Sequence, residues 1–131
     1  MVKPPRFGLT DVTGFGLLGH LLEIGRGSQL AARLEWSKIP LLPDALTLAQ
    51  EGLITGASAR NWASYGAAVE IAPGLDPAAP ALLTDPQTSG GLLVACAAEQ
   101  SDEVLRTFSE QGFAASEIGE LVAGEATIRV V

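Results

Sequence analysis

The sequence lacks most features that mark nucleic-acid-binding, disulfide-stabilised or membrane-spanning proteins. Cys96 is the only cysteine among the 131 residues, so no disulfide can form within the chain. Eight Lys and Arg against 15 Asp and Glu give a net charge of -7, which repels a phosphate backbone. No apolar run approaches the roughly 20 residues of a membrane span, and no signal-type segment follows the first residues. These absences predict a cytoplasmic protein that binds neither nucleic acid nor membrane.

What the chain does contain is a globular composition with an uneven charge. Hydrophobic residues make up 47% and charged residues 18%, and the length is that of one ordinary domain. Residues 1–65 carry six basic and five acidic side chains, whereas residues 66–131 carry two and ten. An anionic ligand is therefore expected to prefer the first half of the chain.

The first regular elements are predicted from apolar periodicity. Apolar residues recur at helical spacing over residues 14–25, with Thr13 as the expected N-cap and Gly25 and Gly27 as the expected end of the helix. Residues 30–36 alternate between apolar and polar or small side chains, which is typical of a strand.

The remaining elements do not follow the regular strand–helix–strand order of a doubly wound βαβ fold. The expected elements are helices from residue 43 to Gly52 and over 59–65, a strand at 67–71, a loop at 73–80, a strand at 92–97, a helix beginning at Ser101 and strands at 115–121 and 126–131. This order predicts an α+β fold with a mixed, mainly antiparallel sheet covered by helices.

Residues Thr10–Gly16 form the first segment that could carry chemistry. A carboxylate and two hydroxyls precede a helix whose first turn contains two glycines. A helix N-terminus and close-approaching backbone suit a phosphate, and Asp11 could hold the accompanying Mg2+. Ordinary helix capping selects the same residue types, so both interpretations are open at this point.

Residues Asp85–Gly91 form the second such segment. The seven residues combine an acid, an amide, two hydroxyls, a proline and two glycines directly before an apolar strand. They suit a tight turn in which Asp85 accepts local backbone hydrogen bonds. They equally suit a loop whose amides and hydroxyls face a phosphate or its metal.

The two segments together resemble a known family. Thr10–Leu21 is similar to the opening of the second domain of selenophosphate synthetases, and Asp85–Leu93 resembles their most distinctive loop. The similarity covers nearly the whole chain after residue 9 and implies the carboxy-terminal domain fold of the aminoimidazole ribonucleotide synthetase superfamily. It also implies an ATP-dependent enzyme that makes selenophosphate from selenide, ATP and water.

The resemblance implies roles for residues of both segments. Asp11 is implied as a Mg2+ ligand that completes a cluster whose other carboxylates come from an amino-terminal domain. That domain also shares the ATP, which lies near the junction of the two domains. The residues implied to bind the cofactor are Thr10, Thr13, Gly14, Gly16, Asp85, Gln87, Thr88, Ser89, Gly90 and Gly91.

No catalytic residue is expected in this chain. Cys96 lies in a predicted apolar strand rather than in the amino-terminal glycine-rich loop of the family, so a structural role is expected. His20 lies on the first predicted helix, where a partly buried structural histidine is expected rather than a catalyst. The isolated chain is therefore expected to be inactive.

The resemblance also sets the expected organisation. We expect a flexible leader over residues 1–9 and a single carboxy-terminal domain over residues 10–131, without the amino-terminal catalytic domain. The implied partners are that domain, ATP, selenide and a second copy of the full enzyme in a homodimer. Two alternatives are a non-catalytic binding or scaffold domain of the same fold and one half of a split enzyme.

Overall fold

A computed structural model describes residues 7–86 and 90–131 of the chain. The described residues form both helices and strands, and the strands do not alternate regularly with helices, so the predicted α+β class is confirmed. The helices are α1 (Gly16–Ser28), α2 (Ala45–Gln50), α3 (Gly56–Tyr65), α4 (Ala79–Leu83) and α5 (Ser101–Glu110). The strands are β1 (Phe7–Asp11), β2 (Leu30–Leu34), β3 (Val69–Ile71), β4 (Leu92–Cys96), β5 (Gly119–Ala123) and β6 (Ile128–Val130).

The described strands form two sheets. β1 and β4 make an antiparallel pair, and the other strands form a four-stranded sheet in the order β3-β6-β2-β5. In the larger sheet β6 runs parallel to both β2 and β3, while β5 runs antiparallel to β2. The predicted mixed, mainly antiparallel arrangement is confirmed, since the antiparallel strand pairs align ten described residue pairs and the parallel ones six. The parallel part arises because β6, the last strand, lies between β2 and β3 instead of extending a hairpin.

The core lies between α1 and the two sheets. Leu18 and Leu22 of α1 are almost fully buried, as are Leu34 of β2 and Val130 of β6. Each such side chain contributes about 1.5–3 kcal/mol by leaving water. The position of α1 is thus fixed by its apolar face, and with it the position of the residues at its start.

The ends of α1 differ from the prediction. Helix α1 begins at Gly16, and no side chain caps it, so Thr13 is not the N-cap. It ends at Ser28 with Gln29 in the left-handed conformation, so Gly25 and Gly27 lie inside the helix. A Cβ on Gly25 would sit 2.8 Å from the carbonyl oxygen of Leu30, so this glycine serves close packing rather than helix termination.

Two elements occur where none was predicted. Residues 7–9, expected in a flexible leader, belong to β1 and pair with β4, whereas residues 1–6 lie outside the described residues. Helix α4 begins within the segment expected to be a loop, with Pro80 in its first turn where the missing N–H is tolerated. Helix α5 begins at Ser101 as predicted, but Ser101 donates to the Glu117 carboxylate at 3.0 Å and is not the cap.

No helix in the described part of the chain is both long enough and apolar enough to cross a membrane.

Candidate functional site

Strands β1 and β4 bring the start of the first segment next to the end of the second. Asp11, the last residue of β1, is paired with Leu92, and the N–H of Val12 donates to the carbonyl of Gly91 at 2.9 Å. The Asp11 side chain is exposed to solvent. Asp11 therefore lies at the edge where the segment Asp85–Gly91 enters β4.

The other ends of the two segments also meet. Gly16 has φ +73°, and a Cβ there would sit 2.7 Å from the carbonyl carbon of Thr84. Thr84 immediately precedes Asp85, so the end of the first segment lies against the start of the second. The backbones of Thr10–Gly16 and Asp85–Gly91 are thus adjacent at both ends.

Asn61 of α3 bonds to the first segment and to the residue directly before the second. Its Nδ2 donates to the carbonyl oxygen of Gly14 at 3.0 Å and to that of Thr84 at 2.9 Å. The two acceptors are seventy positions apart in the chain, and one side-chain amide holds both.

The start of the second segment is held by hydroxyl groups. The Thr84 side chain is buried, and its Oγ1 donates to the carbonyl of Pro80 at 2.6 Å and lies 2.5 Å from Oγ of Ser58. Ser58 is 2% exposed. Thr55, the N-cap of α3, accepts the N–H of Ser58 and donates from its hydroxyl to Asp85 at 3.5 Å. The approach to the loop is therefore held by side chains from α3.

Thr13 bonds to a histidine instead of capping α1. Its N–H donates to Nε2 of His20 at 3.1 Å, and its hydroxyl oxygen lies at the same distance from that nitrogen. Because Nε2 accepts, neutral His20 carries its proton on Nδ1, which lies 3.5 Å from the Glu23 carboxylate. His20 is 7% exposed, so the expected partly buried helix histidine is observed as a buried one that anchors Thr13.

Tyr65 holds the residue before α1. Its hydroxyl donates to the carbonyl oxygen of Phe15 at 2.5 Å. Burial raises the pKa of Tyr65 to about 12, against a smaller opposing effect of the Gly19 backbone. The phenol therefore remains a neutral donor at any physiological pH.

The structure places the remaining predicted residues as follows. Thr10 precedes Asp11 in β1, so its side chain projects to the opposite face of the strand from the carboxylate. Gly90 and Gly91 continue from the loop into β4. Gln87, Thr88 and Ser89 were predicted to bind the cofactor and lie outside the described residues.

The described residues do not form a complete metal site by themselves. Within residues 7–86 and 90–131, no group of three or more His, Cys, Asp or Glu side chains could hold a metal ion. A carboxylate oxygen is nonetheless a ligand that Mg2+ prefers, and Asp11 presents one to solvent. Asp11 can thus contribute one ligand to a site whose other ligands come from elsewhere.

Sequence reasoning missed the contribution of α3. Ser58, Asn61 and Tyr65 follow the i, i+3, i+7 spacing of one helix face, and each bonds to one of the two segments or to a residue that flanks it. A polar stripe at helical spacing on an otherwise unremarkable helix was the available signal.

Cys96 has the environment of a structural thiol. It lies in β4, and burial raises the pKa of its thiol, with a smaller effect from the Glu117 carboxylate. A raised pKa lowers the thiolate fraction at neutral pH.

Comparison with known proteins gives a consistent family. The family model described as AIR synthase related protein, C-terminal domain, matches residues 8–131. The chain is 57% identical over 128 residues to a selenide, water dikinase of Burkholderia orbicola (strain MC0-3), covering 97% of this chain and 36% of that protein. It is 59% identical over 117 residues to a selenide, water dikinase of Pseudomonas straminea, covering 88% of this chain and 33% of that protein. The predicted resemblance is confirmed, and the chain spans about a third of the length of these relatives.

Solved structures share the fold at low sequence identity. Escherichia coli HypE, a hydrogenase maturation protein, superposes with a TM-score of 0.63 at 19% identity, over 96% of this chain and 32% of that one. Thiamine-monophosphate kinase from Stenotrophomonas maltophilia K279a gives a TM-score of 0.53 at 17% identity, over 94% of this chain and 30% of that one. These similarities confirm the predicted fold.

Proposed function

The chain belongs to the AIR synthase related proteins as a C-terminal domain, and on that premise we propose that it forms one wall of the ATP site of a selenide, water dikinase. In this role the chain positions the nucleotide and one metal ion and takes part in no covalent step. The rest of the enzyme, which the chain does not span, supplies the reacting groups. The overall reaction converts ATP, selenide and water into AMP, selenophosphate and orthophosphate.

The observation that carries the proposal is the contact between the two glycine-bearing segments at both ends. The N–H of Val12 bonds to Gly91, and Gly16 lies against Thr84, so the described ends of the two segments lie side by side. Consecutive backbone N–H groups and glycines that permit close approach suit phosphate oxygens. The exposed Asp11 carboxylate lies beside that surface, where a cation bound to the phosphates would need a ligand.

Electrostatics at the start of α1 supports an anionic ligand. Helix α1 has 13 residues, and its first turn contains no acidic side chain. The partial positive charge of its N-terminus is therefore not neutralised from within the helix. Phosphoryl transfer depends mainly on positioning and on neutralising charge, which are the contributions that such a wall can make.

Asp11 is proposed as one Mg2+ ligand in a site shared with the amino-terminal part of the enzyme. When bound, the ion would neutralise charge on the phosphates. The relatives are about three times as long as this chain, which leaves room for the domain that would supply the other carboxylates. The homodimer implied by the resemblance would form largely through that other part.

The proposal is tested by domain replacement. In the Burkholderia orbicola relative, the aligned segment is replaced by this chain, and selenide-dependent ATP consumption is measured against the unaltered relative. A functional wall predicts that the chimera consumes ATP only when selenide is present. A chimera that unfolds cooperatively but consumes no ATP with selenide contradicts the proposal.

The chain by itself gives a complementary test. Since the reacting groups are proposed to lie elsewhere, the purified 131-residue chain is expected to produce no selenophosphate from ATP and selenide. Phosphorus NMR can detect the product directly. Selenophosphate formed by the chain alone would contradict the proposed division of labour.

A further inference from the structure

The side-chain amide of Asn61 can form its two hydrogen bonds only with its nitrogen, and not its oxygen, facing the two partners. Carbonyl oxygens only accept, so the group facing Gly14 and Thr84 must be the amide nitrogen, with one hydrogen for each acceptor. The usual ambiguity between the oxygen and the nitrogen of an asparagine side chain is therefore resolved by the two partners.

Asn61 lies between two buried residues on the same face of α3. Ser58, one turn earlier, is 2% exposed and contacts Thr84, while Tyr65, one turn later, is 8% exposed and bonds to Phe15. The donor groups on this face of α3 thus hold the two segments from three consecutive turns. A side chain with packed neighbours on both sides loses little further freedom when it forms its hydrogen bonds.

Holding the Gly14 carbonyl also orients the next amide group. The described backbone contains no cis peptide bond, so the N–H of Phe15 points away from the carbonyl of Gly14. Because that carbonyl faces Asn61, the N–H of Phe15 is directed away from α3. Asn61 thereby sets the direction of a backbone donor within the first segment.

We infer that Asn61 is a positioning residue, which fixes the separation of the two segments and the direction of the Phe15 N–H by binding the carbonyls of Gly14 and Thr84. Its consequence for ATP rests on the function proposed above. The side chain itself touches neither nucleotide nor metal in this account, so it acts only through the backbone of the two segments.

The structural half of the inference is tested in the 131-residue chain by NMR. Asn61→Asp keeps the shape of the side chain but replaces the donor with an oxygen that both carbonyls repel. The backbone amide signals of Phe15 and Asp85, which follow the two carbonyls, are expected to shift together in this variant. Ser64→Ala, an exposed change on the same helix, is the control and should leave both signals in place.

The functional half is tested in the chimera with the Burkholderia orbicola relative. Asn61→Asp is expected to lower kcat/KM for ATP by roughly 10–100-fold, because small displacements of positioning groups have effects of that size. Ile128→Val is the matched control, since it removes one buried methyl group from β6, a strand that pairs with β2 and β3 and with neither segment. Assays are made well below the unfolding temperature of each variant.

The outcomes separate this inference from the proposed function. The inference is supported if Asn61→Asp shifts both amide signals and lowers kcat/KM, while Ile128→Val does not lower kcat/KM. Unshifted Phe15 and Asp85 signals, or equal activity of Asn61→Asp and Ile128→Val, overturn it. If both signals shift in the chain but the unaltered chimera consumes no ATP, the role of Asn61 in holding the two carbonyls is supported and the proposed function is contradicted.

Discussion

Gly16 lies against the backbone of Thr84 so closely that a Cβ at Gly16 would sit 2.7 Å from the Thr84 carbonyl carbon. The φ of Gly16 is +73°, a conformation that other residues adopt at an energetic cost. Two independent constraints therefore require glycine where the first segment meets the second. Gly14, two residues earlier, has open space around its Cα and no such conformation.

Gly16→Ala is expected to lower the free energy of unfolding by about 2 kcal/mol or more, because the methyl group must displace backbone and the φ is strained. Urea denaturation measures the loss. Gly14→Ala is the matched control and should change the free energy of unfolding by no more than about 0.5 kcal/mol. Equal losses in the two variants would show that the contact with Thr84 does not constrain the fold.

His20→Ala is expected to destabilise the chain by about 1–3 kcal/mol, because it removes a buried ring and the acceptor of the Thr13 N–H. His20→Gln, whose side-chain oxygen can reach a similar position, should recover part of that loss. Glu23→Gln changes only the exposed neighbour of Nδ1 and should be close to neutral.

The tautomer of His20 provides a second measurement. His20 is the only histidine of the chain, so its ring nitrogens are assigned without ambiguity in nitrogen-15 NMR spectra. At mildly alkaline pH, Nε2 is expected to be the unprotonated nitrogen, since it accepts from Thr13. A proton on Nε2 would contradict the observed bond.

Tyr65 should ionise only at about pH 12 in the folded chain, because burial disfavours the phenolate. It is the only tyrosine, so ultraviolet titration reports this group alone. Below the ordinary pKa near 10 the stabilising contribution is fully present, and it is lost as pH rises towards about 12, because only the unfolded chain ionises in that window. Tyr65→Phe should lack this part of the pH dependence, and a folded chain that titrates near pH 10 would contradict the assignment.

Local signals in the sequence were sufficient for the class of fold, whereas a shared site for the two segments was implied only by the family resemblance. Periodicity located β2 and α1, and turn residues located the loop before β4. The described ends of Thr10–Gly16 and Asp85–Gly91 do lie together. The ligand that they bind stays a prediction.

The departures from prediction arise from contacts between distant residues. Thr13 is a residue type that commonly caps a helix, but here it bonds to His20, one helical turn into α1, and does not act as the cap. Gly25 is a residue type that commonly ends a helix, but it lies inside α1, where it packs closely against Leu30. The place of β6 between β2 and β3 depends on long-range pairing, which local periodicity does not encode.

The contribution of Asn61 could not be predicted for the same reason. An asparagine on a short helix is ordinarily solvated, and its two acceptors lie at positions 14 and 84. Only the packing of α3 against the start of α1 and the end of α4 brings them within reach.

If Asp11 supplies a ligand to a Mg2+ ion shared with another part of the enzyme, Asp11→Asn should change the Mg2+ dependence of ATP consumption in the chimera. Even residues that only hydrogen-bond to a metal ligand alter metal affinity by roughly 10–100-fold, so loss of a direct ligand should raise the required Mg2+ concentration at least about tenfold or abolish turnover. Asp102→Asn, which makes the same change at an exposed position of α5, is the control and should follow the unaltered chimera. We expect the Asp11→Asn curve to move to higher Mg2+ while the protein stays folded; a curve that overlaps that of the unaltered chimera would show that Asp11 is not a ligand.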